Sequence, residues 1–244
     1  MDALDFSGKT VLVVGGSSGI GNGIAHGFRE HGASVHVWGT RPRAADYAGV
    51  EGSDLSGLTY AQVDVGDRAQ IDAAPAIAPL DVLILCQGTV QYRRAEFEPE
   101  GWDRVMAVNL DSLMDCARKF RAALAARRGV IVIVSSVSGF QSNRGNPAYA
   151  ASKAGAVSLT KTLGEAWAPE GIRVVGLAPG LVDTKLTKVT TGHPERREAA
   201  IRAIPLGRMG TPGDMAGAAL LLASPLAGYV VGQTLIVDGG LSLS

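Results

Sequence analysis

Seven short apolar runs punctuate the chain, each giving way to a polar or glycine-rich stretch. Residues 10–14, 34–38, 58–63, 82–86, 130–134, 173–177 and 233–237 are mostly Val, Ile and Leu. Runs of this length, rich in β-branched residues and bounded by turn signals, predict strands. Several are apolar throughout, as strands buried on both faces must be. Between them, apolar residues recur at helical spacing over 20–31, from about 67, over 102–109, 110–127 and 148–167, and from Pro212 to Ala223. In the 110–127 segment the predicted stripe is Leu110, Leu113, Met114, Ala117, Phe120 and Leu124. Residues 42–58, mostly Ala, Gly, Asp and Ser, predict an irregular connection.

Strands alternating with helices predict an α/β fold: a doubly wound, Rossmann-type, seven-stranded parallel sheet with helices on both faces. No repeat or linker interrupts the pattern, so residues 1–244 read as a single domain. The polar segment 182–208 follows the sixth strand, where an insertion predicts a substrate lid. In such a sheet, ligands bind at the carboxyl ends of the strands, and there the informative residues gather. Gly15, Gly19 and Gly21 follow the first strand and open a helix, where backbone N–H groups can close on a phosphate. Gly39, Thr40 and Arg41 follow the second. No acidic residue stands there to grip a ribose 2′-hydroxyl, and hydroxyl and guanidinium groups suit a 2′-phosphate. NADP(H) is therefore the favoured cofactor, with NAD(H) as the alternative. Asp64 and Val65 follow the third strand. Asp64 either accepts from an adenine amino group or caps the helix near Asp67.

Tyr149 and Lys153 are four apart in a predicted helix and so share one face. An ammonium one turn from a phenol favours the phenolate and makes Tyr149 a candidate proton-transfer group. A hydroxyl at the end of the fifth strand, among Ser135, Ser136 and Ser138, can hold a substrate oxygen beside it.

Composition narrows the alternatives. The 23 basic and 23 acidic residues balance, arguing against a nucleic-acid partner or a basic membrane-binding surface. Cys86 and Cys116 and the four histidines form no ligand spacing, so no metal is expected. No apolar run reaches the ~18 residues of a membrane span, the N-terminus does not read as a signal peptide, and a cytoplasmic location is expected.

Taken together, these motifs resemble the short-chain dehydrogenase/reductase family, in particular its 3-oxoacyl-acyl-carrier-protein reductases. The resemblance rests on Gly15-x-x-x-Gly19-Ile20-Gly21, Asn109 in VNL, Ser136 thirteen residues before Tyr149, the YxxxK pair, Pro179-Gly180 and the terminal GQTLIVDGG. It implies hydride transfer between NADP(H) and a small-molecule carbonyl or secondary alcohol. An NAD-dependent alcohol or sugar dehydrogenase is the second reading, and a catalytically silent nucleotide-binding regulator the third. Residue by residue, it implies that Tyr149 is the general acid/base and Lys153 its activator and a ribose ligand. Ser136 holds the substrate oxygen, and Asn109 anchors a proton-relay water. The cofactor site it implies comprises Gly15, Ser17, Ser18, Gly19, Ile20, Gly21, Gly39, Thr40, Arg41, Asp64, Val65, Gly88, Tyr149, Lys153, Pro179, Gly180, Val182 and Thr184. Gln91, Phe140 and Gln141, with Tyr149, form the expected substrate wall, alongside Tyr92 and Asn143. A homotetramer is implied as well, built on the helices that carry Leu110 and Tyr149. The chain departs from the family pattern at Val14, where threonine is usual, and at Leu85-Cys86-Gln87, where Asn-Asn-Ala is usual. Ser18 also stands where NADP-preferring members often carry a basic residue.

Overall fold

In a computed structural model of the chain, residues 3–188 and 192–243 are described. Seven strands form one parallel sheet: β1 Thr10–Val14, β2 Ser34–Gly39, β3 Thr59–Gln62, β4 Val82–Leu85, β5 Val130–Val134, β6 Arg173–Pro179 and β7 Thr234–Val237. Their order, β3-β2-β1-β4-β5-β6-β7, reverses direction between β1 and β4. That switch point opens a crevice outside the strands' carboxyl ends.

Alternation along the strands divides the core in two. Val11 and Val13 face one cluster with α1 (Gly19–Glu30) and the last helix, α7 (Pro212–Ala223). Leu12 and Val14 face the other, with α4 (Ser112–Arg127) and α5 (Pro147–Trp167). Among the described residues, short helices α2 (Arg68–Ala73), α3 (Pro99–Met106) and α6 (Pro194–Arg202) join these. The predicted start of α7 holds: Thr211 Oγ1 accepts from the Asp214 N–H at 3.1 Å, and Pro212 takes the first position.

Two differences from the sequence reading matter. The helices predicted to meet at Asn109 and Leu110 form one rod, in which a π-turn, Ala107–Asp111, joins α3 to α4. That wider turn presents Asn109 on a face an unbroken α-helix would not. Within the α4 stripe, Leu113, Ala117, Phe120 and Leu124 are buried together with Cys116, whereas Met114 is exposed. The second crossover, 40–58, is irregular as expected and carries no α-helix, only a 3₁₀ turn at Ala44–Tyr47.

The strand ends also bear the sequence departures. Leu85 is fully buried in the apolar core. The Gln87 side chain turns inward and donates to Ser112 Oγ at 2.9 Å, tying the end of β4 to α4.

Candidate active site

Backbone constraints shape the turn after β1. Gly15 and Gly19 have φ of +77° and +56°, the left-handed region. A Cβ on Gly21 would lie 2.3 Å from the Gly15 carbonyl oxygen, so only glycine lets α1 start so close to the turn. Ser18 precedes α1 without a side-chain cap. An uncapped, glycine-lined helix start suits an anion.

This turn forms one wall of a cleft of about 580 Å³ across the switch point. Gly15, Ser17, Ser18, Gly19, Ile20 and Gly21 line it, with Gly39 and Thr40 after β2 and Asp64 and Val65 after β3. Gly88, Ser136, Tyr149, Lys153, Pro179, Gly180, Val182 and Thr184 line the rest. Most of the predicted site residues thus meet on one surface.

The three serines separate cleanly. Ser135 Oγ donates to the Lys153 carbonyl inside α5 at 2.8 Å, and Ser138 Oγ accepts from Asn143 Nδ2 at 3.3 Å. Ser136 is the one placed to hydrogen-bond the Tyr149 phenol and favour its ionised form. Its Oγ also accepts from the Ser138 N–H at 3.1 Å, which fixes the hydroxyl on the turn after β5. Lys153 is buried at 4 % exposure, and its ammonium donates to the Val134 carbonyl at 2.9 Å and lies 5.7 Å from the Tyr149 ring centre.

The electrostatics differ from the sequence reading. Burial raises the Tyr149 pKa above that of an ordinary phenol; the Ser136 hydrogen bond opposes this, and Cys86, Tyr92 and Glu96 add to it. Burial also lowers Lys153, to about 8. In the protein alone, desolvation outweighs any help from the lysine, and Tyr149 stands as a protonated acid.

Several expected residues lie elsewhere. Arg41 is not on the cleft wall: its guanidinium stacks on the Tyr47 ring at 4.7 Å and donates to the Asp46 carbonyl. Asn109 is fully buried behind Gly88. It clamps the backbone of Thr89, accepting from its N–H at 2.8 Å and donating to its carbonyl at 2.9 Å, and reaches Ser152 Oγ at 3.2 Å. Gln91, Phe140 and Gln141 do not line the cleft; Phe140 and Gln141 lie on the exposed surface. Asp64 does not cap α2. Asp67 does so through Ala69 N–H, while the Asp64 carboxylate accepts from Gly66 N–H and Arg104.

The cleft also includes Lys185 to Thr187, from the expected lid, and residues that sequence reasoning passed over: Trp38, Cys86 and Arg104. Arg104 was findable, since it precedes Val108 by one helical turn on the segment already read as helical. Cys86 is a free thiol raised to about 12 by burial, an inert group. The Tyr92 hydroxyl donates to the Leu186 carbonyl and ties the loop after β4 to the segment after β6.

Among known proteins, the family model described as enoyl-(acyl carrier protein) reductase matches residues 14–242. The chain is 37 % identical over 246 residues to a 3-oxoacyl-acyl-carrier-protein reductase, FabG, of Chlamydia muridarum, covering 96 % of this chain and 97 % of the relative. It is 39 % identical over 243 residues to galactitol 2-dehydrogenase (L-tagatose-forming) of Cereibacter sphaeroides, covering 96 % and 94 %. Among solved structures, a gluconate 5-dehydrogenase from Burkholderia cenocepacia in complex with NADP and tartrate superposes with a TM-score of 0.89 at 31 % identity, covering 100 % and 98 %.

Proposed function

The chain belongs to the short-chain dehydrogenase/reductase family, and from that premise we propose that it is an NADP(H)-dependent oxidoreductase that interconverts a ketone and a secondary alcohol. The observation that carries this reading is the Ser136–Tyr149–Lys153 group on the wall of a glycine-lined cleft. When bound, the dinucleotide supplies or accepts the hydride. The protein's own part is orientation and proton transfer.

In reduction, Ser136 donates a hydrogen bond to the substrate carbonyl oxygen. Tyr149, held protonated by its burial, gives its proton to the same oxygen. Lys153, anchored on Val134, presents its ammonium beside the phenol and stabilises the phenolate left behind. Asn109 keeps the loop at Thr89 against the rod α3–α4 and so fixes the floor under Gly88. Gly88 lies against both groups: a Cβ there would stand 3.6 Å from Lys153 Nζ and 3.8 Å from Asn109 Oδ1.

The preference for NADP(H) rests on charge at the adenosine end. Thr40 is the cleft residue after β2, and Asp46, the nearest carboxylate of that crossover, is engaged by Arg43 at 2.8 Å. No free carboxylate there opposes a 2′-phosphate, and an Arg41 released from Tyr47 would meet one. Fluorescence titration with NADPH and NADH tests this. Tenfold tighter NADPH binding, about 1.4 kcal/mol, is expected, and equal or tighter NADH binding refutes it.

Relatives act on both acyl thioesters and polyols, so a substrate screen sets 3-oxoacyl thioesters against sugar alcohols and sugar acids. Residues 182–208 are proposed as the lid, with positions 189–191 outside the described residues. Two uncovered faces support a homotetramer. One is the α7–β7 edge with Leu226 and Tyr229, and the other is α4–α5 with Met114, Ala151 and Ala154. No described helix is long and apolar enough to cross a membrane. The two free thiols suit a cytoplasmic setting.

A further inference from the structure

Glu96 is fully buried, yet it takes part in no ion pair among the described residues. A buried carboxylate without a cation is costly unless several donors satisfy it. Three do. Oε1 accepts from the Gln91 N–H at 3.0 Å and from Asn146 Nδ2 at 3.1 Å. Oε2 accepts from the backbone N–H of Tyr149 at 2.9 Å. Both oxygens accept and neither donates, the pattern of an ionised carboxylate.

The Tyr149 contact explains how α5 begins. Asn146 occupies the N-cap position and is a favoured capping residue, but its side chain makes no cap bond. It turns outward instead, donating to the Gln91 carbonyl at 3.1 Å as well as to Glu96. Pro147 has no N–H, so the orphan donors of the first turn begin at Ala148 and Tyr149. Glu96, 53 residues upstream, satisfies the second of these from outside the helix and sets a negative charge against its positive end.

We propose that Glu96 is a positioning residue: it caps the helix that carries Tyr149 from outside and locks that tyrosine to the loop at Gln91, so that the proton donor and the loop beside the substrate move as one body. The inference rests on the reductase reading for its kinetic consequence and on hydrogen bonds alone for its structural one. Groups facing the phenol are Cys86 from the end of β4, Tyr92 and Glu96 from the loop, Ser136 from the turn after β5, and Lys153 from the same helix. Cys86 and Tyr92 are both raised and so uncharged near neutral pH, which leaves Glu96 and Lys153 as the charges that bias Tyr149.

The test is Glu96→Gln, with Glu96→Asp as the charge-retaining variant. Glutamine keeps the volume but turns an amide toward a backbone donor. In hydrogen–deuterium exchange by mass spectrometry, peptides spanning 89–97 and 146–152 of Glu96→Gln should lose protection together, by about tenfold, while those of β1 and β4 do not. In turnover with NADPH and a ketone, kcat should fall by about tenfold or more. Cofactor Kd should stay within about twofold, and the kcat midpoint in the alcohol-oxidation direction should move to lower pH. Glu96→Asp should restore that midpoint. Exchange that loosens in only one of the two segments, or throughout the sheet, overturns the inference. So does an unchanged kcat and midpoint in a variant of a protein that does turn over. Failure of the unsubstituted protein to turn over any ketone would instead strike the reductase reading, and the exchange result would still decide the role of Glu96.

Discussion

Ser135 and Ser136 are adjacent, both nearly buried and both on the cleft wall, so replacing each with alanine separates fold from chemistry. Ser135→Ala removes one bond, from Oγ to the Lys153 carbonyl at 2.8 Å. A lost neutral hydrogen bond costs about 0.5–1.5 kcal/mol. At about 2–4 °C per kcal/mol for a chain of this size, Tm should drop by about 1–6 °C. Ser136→Ala removes the acceptor for Ser138 N–H, a cap worth about 0.5–2 kcal/mol, so its Tm should fall by a similar amount. Stability therefore cannot distinguish the two variants. Turnover can, because a donor aimed at a developing oxyanion is worth about 2.7–4 kcal/mol, or about 10²–10³ in rate. Initial rates of NADPH oxidation with a ketone that the unsubstituted protein reduces should fall by about 10²-fold or more in Ser136→Ala. In Ser135→Ala they should fall by no more than about tenfold, the most a lost bond of that size could cost in rate. Equal losses, or a larger loss at Ser135, would refute the assignment of the reacting oxygen to Ser136.

At the opposite end of the strands, Asp81 accepts from Thr10 N–H at 3.0 Å, Lys9 at 3.2 Å and Arg127 at 3.1 Å. Burial acts to raise its pKa, but these partners prevail and hold it below the ordinary carboxylate value. Its contribution to stability is therefore complete above the unfolded pKa of about 3.9 and is lost as pH falls through the lower folded value. Asp81→Asn should cost about 1.5–3 kcal/mol at pH 7 in thermal or denaturant unfolding, and the gap should close below about pH 4. A gap that persists at low pH would argue against the ionic origin. Gly21→Ala puts a methyl 2.3 Å from a backbone oxygen that cannot rotate away. Titration should then find NADPH affinity weakened by about tenfold or more, and unchanged affinity would mean that the turn gives way easily.

The sequence was readable where local spacing decides structure. Tyr149 and Lys153 reach one site because residues four apart on a helix share a face, and the glycine turn and strand ends follow from alternating buried runs. Direction was harder to read than identity. Arg41 is basic at the right place, but its orientation depends on a tyrosine six residues later, and no periodic pattern encodes that contact. The π-turn at Asn109 shifts register by a single residue, too little to disturb a helical stripe. Choosing Ser136 over its neighbours required the family spacing, since three hydroxyls within four residues look alike until each finds its partner. Glu96 was not visible at all: its partner at Tyr149 is 53 residues away, and one of three glutamates in a polar loop reads as solvated.

The crossover between β2 and β3 lacks a covering α-helix, and this has a consequence for the energy landscape of the sheet. β3 is four residues long, bonds only to β2, and buries none of its side chains fully. An edge of that kind opens at lower free energy than the centre at β1, β4 and β5, so the adenosine end is one of the two edges from which the sheet frays. A ligand bound across Thr40 and Asp64 bridges the ends of β2 and β3 and raises the cost of that opening by mass action. Cofactor level thereby becomes a setting on the protein's lifetime: a depleted pool exposes one edge strand to proteases and to pairing with other chains, and a full pool seals it.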